Sequence, residues 1–281
     1  MFAKMSEAEF LKKKPNYFGF IGAGNMGGAL ATAVSKSTKK VLISDHFADK
    51  AQALADKLEV NAADNMIIAE VCEYIFLGVK PQMMADMLGY IKDRLKSRGN
   101  NLVLVTMAAG LSIDTIREMA GGDFKVIRIM PNTPVLVEEG EILYCKSDNV
   151  TESDLKFFLE NMNYAGKLTP ISEELMNAGC SVSGCGPAFV YMFIKALAQG
   201  GEDCGIDAET SLSLAAQTVL GSAKLLMESG EDPDVLIKNV CSPGGSTIEG
   251  VKSLENSGLY DTIKKAVGAS YKRNVELGKT E

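Results

Sequence analysis

One junction constrains this chain more than any other. A short apolar run, Tyr17-Phe18-Gly19-Phe20-Ile21, passes straight into Gly22-Ala23-Gly24-Asn25-Met26-Gly27, and an alanine-rich stretch to Ser35 follows. This is G-x-G-x-x-G between a strand and a helix. Its glycines permit the tight turn and let backbone N–H groups approach a pyrophosphate at the helix N-terminus. A glycine-rich turn in any α/β protein matches the bare pattern, so the context must carry the reading. Asp45 supplies it by ending the next apolar run, Val41-Leu42-Ile43-Ser44, at the ~20-residue offset where a carboxylate meets ribose hydroxyls. The junction therefore predicts a dinucleotide-binding βαβ unit, with Gly22, Ala23, Gly24, Asn25, Met26, Gly27 and Asp45 at the cofactor. A carboxylate there favours NADH. The neighbouring His46 can instead donate to a 2′-phosphate, or merely start the turn before Ala48, so NADPH and NADH both stay open.

The same alternation continues. A helical pattern covers Ala48 to Leu58, and apolar runs recur at Tyr74 to Val79, Leu102 to Met107 and Val126 to Met130, with helical patterns between them. Runs of this kind suit strands buried on both faces, and the order predicts an α/β fold with a parallel sheet and right-handed crossovers. From about Thr151 the strand pattern gives way to helices alone. Candidates run Thr151 to Tyr164, Pro187 to Gln199, Ala208 to Glu228, Ser246 to Asn256 and Tyr260 to Glu276. With the boundary after Lys167-Leu168-Thr169-Pro170, the expected domains are 1–170, its first 16 residues a lead-in, and 171–281. Ala188 to Ala198 carries one charge, Lys195, and Leu212 to Leu226 carries one, Lys224. Helices without a polar face are expected to be buried nearly all round. A helical domain of ~110 residues has limited interior for two of them, so part of that surface is expected to meet a second copy of the chain.

Composition removes several function classes. The 281 residues are 46% hydrophobic and 23% charged, which excludes a disordered chain. A net charge of −7 offers no cationic footprint, so no nucleic-acid partner is expected. The six cysteines lie scattered with no C-x-x-C pair, so neither a disulfide framework nor a metal site is readable. No run reaches the ~18 consecutive apolar residues of a membrane span, and Met1 to Lys14 has no apolar signal core. A soluble, cytoplasmic protein without a membrane partner is the expectation. His46 is the only histidine, so a Ser-His-Asp hydrolase or a histidine-rich metal centre would depend on that one residue. Proton transfer elsewhere must use carboxylates, lysine, hydroxyls, water or the substrate's own nitrogen.

Weaker signals gather where strands end. Lys80-Pro81 closes Phe76-Leu77-Gly78-Val79, at the edge of a parallel sheet where ligands sit; a lysine solvating a strand end is the plainer reading. Ala108-Ala109-Gly110 and Met130-Pro131-Asn132-Thr133-Pro134 end later strands, and the small residues leave room for a nicotinamide. In the helical half, Pro243-Gly244-Gly245 forces a turn. Ser246 with Glu249 then reads as a capping box, either a ready anion site or simply a well-capped helix. Ser183-Gly184-Cys185-Gly186-Pro187 opens the first apolar helix, and without a second histidine to activate it Cys185 reads as packing.

These strings together resemble the pyrroline-5-carboxylate reductase family over nearly the whole chain after Lys14. The resemblance lies in F-I-G-A-G-N-M-G at Phe20 to Gly27, G-V-K-P-Q at Gly78 to Gln82 and R-I-M-P-N-T-P at Arg128 to Pro134. It is most specific in S-G-C-G-P-A-F from Ser183 and S-P-G-G-S-T-I-E from Ser242. It implies a Rossmann-type domain followed by an all-helical dimerisation domain, with the active site between them. It also implies NAD(P)H-dependent reduction of 1-pyrroline-5-carboxylate to L-proline, the last step of proline biosynthesis. The implied assembly is a homodimer through the helical domain, with a larger assembly of dimers left open. Carried over by position, Gly22 to Gly27, Asn65, Val79, Lys80, Pro81, Gln82, Ala108, Ala109, Gly110, Asn132 and Asn239 would contact cofactor. Gly244, Gly245, Ser246 and Thr247 would receive the small-molecule substrate, with Glu173 nearby. Thr247 and Lys80 are the catalytic candidates. Cys185 and Phe189 stand where the family often has serine and tyrosine, Ser246 where threonine or alanine is common, and Lys195 where an acid is frequent.

The residues themselves accord with that chemistry. A cyclic imine brings its own basic nitrogen, so hydride delivery to its carbon needs no histidine acid, and orientation carries the catalysis. Thr247 is the candidate for hydrogen bonding the ring nitrogen or carboxylate. Two other classes stay in view. A β-hydroxyacid-type dehydrogenase would need a catalytic lysine or histidine in the helical half, where the flanks of Lys195 do not resemble that family's. A non-catalytic NAD-binding regulator would have no need of the Ser242 to Thr247 cradle.

Overall fold

The computed structural model describes residues 18–278, and the 1–16 lead-in lies outside them. The chain forms two compact units: one runs up to Gly184 and resumes at Tyr271, and the other spans Cys185–Ser270. In the first unit β1 (Phe18–Ile21), α1 (Asn25–Ser37), β2 (Val41–Ser44), α2 (Ala48–Leu58), β3 (Asn61–Ala62), α3 (Asn65–Val71) and β4 (Tyr74–Leu77) alternate; the two-residue β3, too short to show a pattern, is not expected from the sequence. Then come α4 (Met84–Arg98), β5 (Val103–Thr106), α5 (Ile113–Ala120), β6 (Lys125–Met130), β7 (Gly140–Lys146), α6 (Glu152–Asn161), β8 (Gly166–Pro170) and α7 (Met176–Ser183).

Among the described residues the strands make one eight-stranded sheet in the order β3-β2-β1-β4-β5-β6-β7-β8. β1 sits centrally, with Phe18 level with Val41 on one side and Tyr74 on the other. All four of its residues are buried, because helices cover both sheet faces. On one face Phe18, Phe20, Phe76 and Phe158 pack together, the Phe20 and Phe76 rings 4.3 Å apart. Ile75, Leu77, Leu88 and Ile91 fill the other.

Two strand expectations need correction. The sheet is parallel except that β7 runs antiparallel to β6. Only a short 3-10 turn, Thr133–Val137, separates them, and a parallel return would need a crossover of a dozen or more residues. The strand pattern also does not end at Thr151, since β8 pairs parallel with β7. Its G-K-L-T-P sequence has one large aliphatic side chain and lies half exposed at the sheet edge, so it shows no hydrophobic signal.

The second unit is helical: α8 (Gly186–Asp203), α9 (Ala208–Ser229), α10 (Pro233–Val240), α11 (Ser246–Asn256) and the start of α12 (Leu259–Leu277), whose last turns belong to the first unit. The sequence reading lacks α7 and α10. Each is eight residues long, too short for a clear period, although Asp232 caps α10 by accepting the Asp234 N–H at 2.8 Å. The near-complete burial expected of the two apolar helices is not met within one chain. Of α8 only Ala198 is buried, and Met192 and Met227 are 71% and 73% exposed. The stretch Glu173–Asp203 is also long and apolar enough, by length and composition alone, to cross a bilayer.

Candidate active site

The glycine turn leaves β1 with each glycine needed for a different reason. Gly22 has φ +111°, and a Cβ on it would lie 2.6 Å from the Gly78 carbonyl oxygen. A Cβ on Gly27 would lie 2.1 Å from the Gly22 carbonyl oxygen, so α1 can approach the strand only without one. A Cβ on Gly24 would meet nothing within 4 Å. That residue borders open space at the N-terminus of α1, where it acts as N-cap with no side-chain cap. Open space beside uncapped first-turn N–H groups fits a pyrophosphate.

Asp45 is placed differently from a simple ribose acceptor. Its Oδ2 accepts the Ala23 N–H at 2.7 Å and its Oδ1 the Phe47 N–H at 3.1 Å, so the carboxylate clips the glycine turn to the end of β2. Beside it the Ser44 hydroxyl donates to Asn65 Oδ1 at 2.6 Å. Lys80, Pro81 and Gln82 are exposed after β4, with Val79 half-buried before them. Ala108, Ala109 and Gly110 leave β5, the last with φ +82°. Thus Gly22 to Gly27, Asp45, Asn65, Val79 to Gln82 and Ala108 to Gly110 gather at the carboxyl ends of β1, β2, β4 and β5, where ligands of such sheets bind. His46 is exposed beside Phe47 at the outer end of this edge.

Asn132 also lies past a strand end, but its amide serves the protein itself. It donates to the Ser183 carbonyl at 3.0 Å and accepts the Glu141 N–H at 2.9 Å. Glu173 likewise has protein partners: its Oε1 accepts the Ile113 N–H at 2.8 Å and Arg128 Nη1 at 2.9 Å. Arg128, buried in β6, joins the site although the sequence marks it only as a lone cation in the run Val126 to Met130. Arg128 and Glu173 line a pocket of about 400 Å³ with Gly110, Ser112 and Asn177. The Arg128 Nε there is buried without a hydrogen-bond partner. Burial and the neighbouring Glu173 carboxylate push the Cys145 thiol up to about 11, so it is no thiolate at neutral pH.

In the second unit, the turn before α11 closes with the Gly245 N–H donating to the Ser242 carbonyl at 3.0 Å, and Gly244 takes φ +72°. This turn makes Gly245 the N-cap, without any side-chain cap. The expected Ser246–Glu249 capping box is therefore absent: Ser246 is already the first helical residue, and Glu249 accepts Lys252 Nζ at 2.8 Å instead. With no side-chain cap, the first-turn N–H groups, those of Ser246 and Thr247 included, stay available to a ligand. Asn239 is exposed on α10 and Lys195 on α8.

Comparisons with known proteins bear on both units. Residues 173–277 match the family model described as pyrroline-5-carboxylate reductase dimerisation. Residues 17–110 match one described as NADP oxidoreductase, coenzyme F420-dependent. The pyrroline-5-carboxylate reductase of Methanosarcina acetivorans is 36% identical over 266 residues, covering 93% of this chain and 97% of that protein. The crystal structure of Plasmodium falciparum pyrroline carboxylate reductase with NADP bound superposes with a TM-score of 0.82 at 32% identity, over 95% of this chain and 99% of that one. The structure of a pyrroline-5-carboxylate reductase from Coxiella burnetii gives 0.87 at 28% identity, over 95% and 100%.

Proposed function

Since the chain belongs to the pyrroline-5-carboxylate reductase family, we propose that its established family activity is its own: NAD(P)H-dependent reduction of 1-pyrroline-5-carboxylate to L-proline. The observation that carries this reading is kinship running through both units, so that the dinucleotide turn and the S-P-G-G-S-T-I-E string occur in one chain. The bound nicotinamide supplies a hydride.

The chain's own residues bind and orient. Gly22, Ala23, Gly24, Asn25, Met26 and Gly27 form the turn that receives the pyrophosphate. The Gly22 and Ala23 N–H groups serve Ser44 and Asp45, so the uncapped first-turn N–H groups of α1 do the binding, and Gly24 leaves the space beside it unfilled. Asp45 and Asn65 serve the adenosine side. Val79, Lys80, Pro81, Gln82, Ala108, Ala109 and Gly110 border the nicotinamide half, while Asn132 acts by fixing the loop after β6. Asn239 is a further cofactor contact. Gly244, Gly245, Ser246 and Thr247 receive the substrate carboxylate and ring at the uncapped start of α11. The Thr247 hydroxyl hydrogen bonds the ring nitrogen or the carboxylate, and the imine nitrogen takes its proton from solvent or arrives protonated. Lys80 contributes a positive charge. Glu173 holds the β5–α5 loop, by accepting the Ile113 N–H, and pairs with Arg128.

A homodimer through the helical unit belongs to the same reading, supported by the dimerisation family model and by the exposed apolar side chains of α8 and α9. So does a cytoplasmic location. The test is direct: purified protein with pyrroline-5-carboxylate and NADPH or NADH, followed by loss of nicotinamide absorbance and appearance of proline. Tight cofactor binding without turnover would favour a regulator instead.

A further inference from the structure

The loop between β5 and α5 carries Ala108, Ala109 and Gly110, and its position is set by residues far away in sequence. At its start the Ala108 N–H donates to Thr106 Oγ1 at 3.3 Å. At its end the Ile113 N–H is held by Glu173 Oε1, and Arg128 orients that carboxylate through the same oxygen. In the middle it meets the end of α12. A Cβ on Gly110 would lie 2.9 Å from the Gly278 nitrogen and from the Leu277 carbonyl carbon, so two backbones touch there. That end of α12 is itself tethered, since Asn274 Nδ2 donates to Ser181 Oγ at 3.1 Å and to the Asn177 carbonyl at 3.3 Å. Ser181 is fully buried in α7, which makes it a firm anchor.

We infer that the last turns of α12, tied to α7 through Asn274, together with the Glu173–Arg128 pair, clamp the Ala108–Ile113 loop. This makes Asn274 and Arg128 positioning residues for the nicotinamide end of the cofactor. The inference rests on the proposed placement of the nicotinamide beside Ala108 to Gly110. It has a specific consequence: loosening the clamp affects what lies beyond the pyrophosphate and spares the adenosine half, whose proposed place at Gly22 to Gly27 and Asp45 is tied together by the Asp45–Ala23 bond without the clamp. It also gives Glu173 a different task from touching substrate, because its Oε1 already serves Ile113 and Arg128.

The test uses full-length protein and two ligands that differ only in the nicotinamide: NADH and ADP-ribose, with NADPH and 2′-phospho-ADP-ribose as the parallel pair. Asn274→Ala removes the two tethering bonds, and net hydrogen bonds of this kind correspond to roughly a three- to tenfold loss in affinity. That loss is expected for the dinucleotide, with the fragment's affinity unchanged and Asn274→Gln restoring part of it. Equal weakening of dinucleotide and fragment would mean a merely structural role, and no change in either would mean that the loop needs no clamp; both overturn the inference. Should Asn274→Ala fail to fold, Ser181→Ala removes one acceptor of the tether and is read the same way. If the wild-type chain bound neither dinucleotide, the proposed function would fail first, and separately.

Discussion

Gly24 and Gly27 lie three residues apart in one turn, and the structure assigns their substitutions opposite consequences. In Gly27→Ala the new methyl would sit 2.1 Å from the Gly22 carbonyl oxygen, a backbone atom that cannot rotate away. Relief requires α1 to move off β1, and α1 buries Ala29, Leu30, Ala31, Ala33 and Val34 against the sheet. Overpacking of this kind costs about 1–3 kcal/mol, and the constraint from backbone on both sides places this site at the upper end. At ~2–4 °C per kcal/mol for a domain of this size, the melting midpoint should fall by roughly 6–12 °C. In Gly24→Ala the methyl meets nothing within 4 Å, and the residue's φ of −69° and ψ of −176° suit alanine. The unfolded chain loses freedom, so stability should stay equal or rise by up to about 1 kcal/mol. The same methyl intrudes where the pyrophosphate must approach. A clash of about 1–3 kcal/mol in the complex corresponds to roughly five- to 150-fold weaker dinucleotide binding. Scanning calorimetry of both variants and fluorescence titration with NADPH and NADH separate the two effects. A Gly24→Ala protein that binds cofactor as the wild type does would refute the placement of the pyrophosphate beside Gly24. A Gly27→Ala protein with an unchanged melting point would show that close packing does not require that glycine.

Thr247→Ala should lower kcat/KM for pyrroline-5-carboxylate about ten- to a hundredfold, the worth of a hydrogen bond to a charged group, while cofactor affinity measured by titration stays constant. Because Gly245 is the cap of α11, this variant leaves the cap untouched, and unchanged kinetics would remove Thr247 from the substrate site. Asp45→Ser should shift the ratio of kcat/KM towards NADPH, because a carboxylate repels a 2′-phosphate. If both cofactors weaken equally, Asp45 acts only as the clip on Ala23. Burial raises the Asp154 carboxyl, but hydrogen bonds from Lys125 and Thr151 outweigh it and hold the group below the usual carboxylate range. Its contribution is thus present above the unfolded-state pKa and lost as pH falls through the lower folded value, so Asp154→Asn should flatten the acid limb of melting temperature against pH. Light scattering at micromolar concentration should find an oligomer, since burying α8 and α9 stabilises association at roughly 25 cal/mol per Å² before entropic costs; a monomer would contradict it.

The alternating half, the helical half and the dinucleotide turn are legible in the sequence, because each is written locally. Apolar runs closed by glycine or a carboxylate mark strands buried on both faces, and G-x-G-x-x-G specifies a turn whatever surrounds it. The family strings at Gly78 to Gln82 and Ser242 to Glu249 were equally local. The tertiary structure decided what depends on partners distant in the chain. β8 exists because β7 offers it an edge, although its own residues carry no period. Gly245 caps α11 because the turn closes one residue earlier than the Ser246 to Glu249 spacing suggests. Asp45 reaches back 22 residues to Ala23. Arg128 and Glu173 meet at the start of α5, and Asn274 reaches α7, only after the chain has folded. The faces of α8 and α9 divide the same way: the apolar pattern and the short helical half already call for a second copy of the chain, and the fold shows which side chains, Met192 and Met227 among them, stay exposed for it.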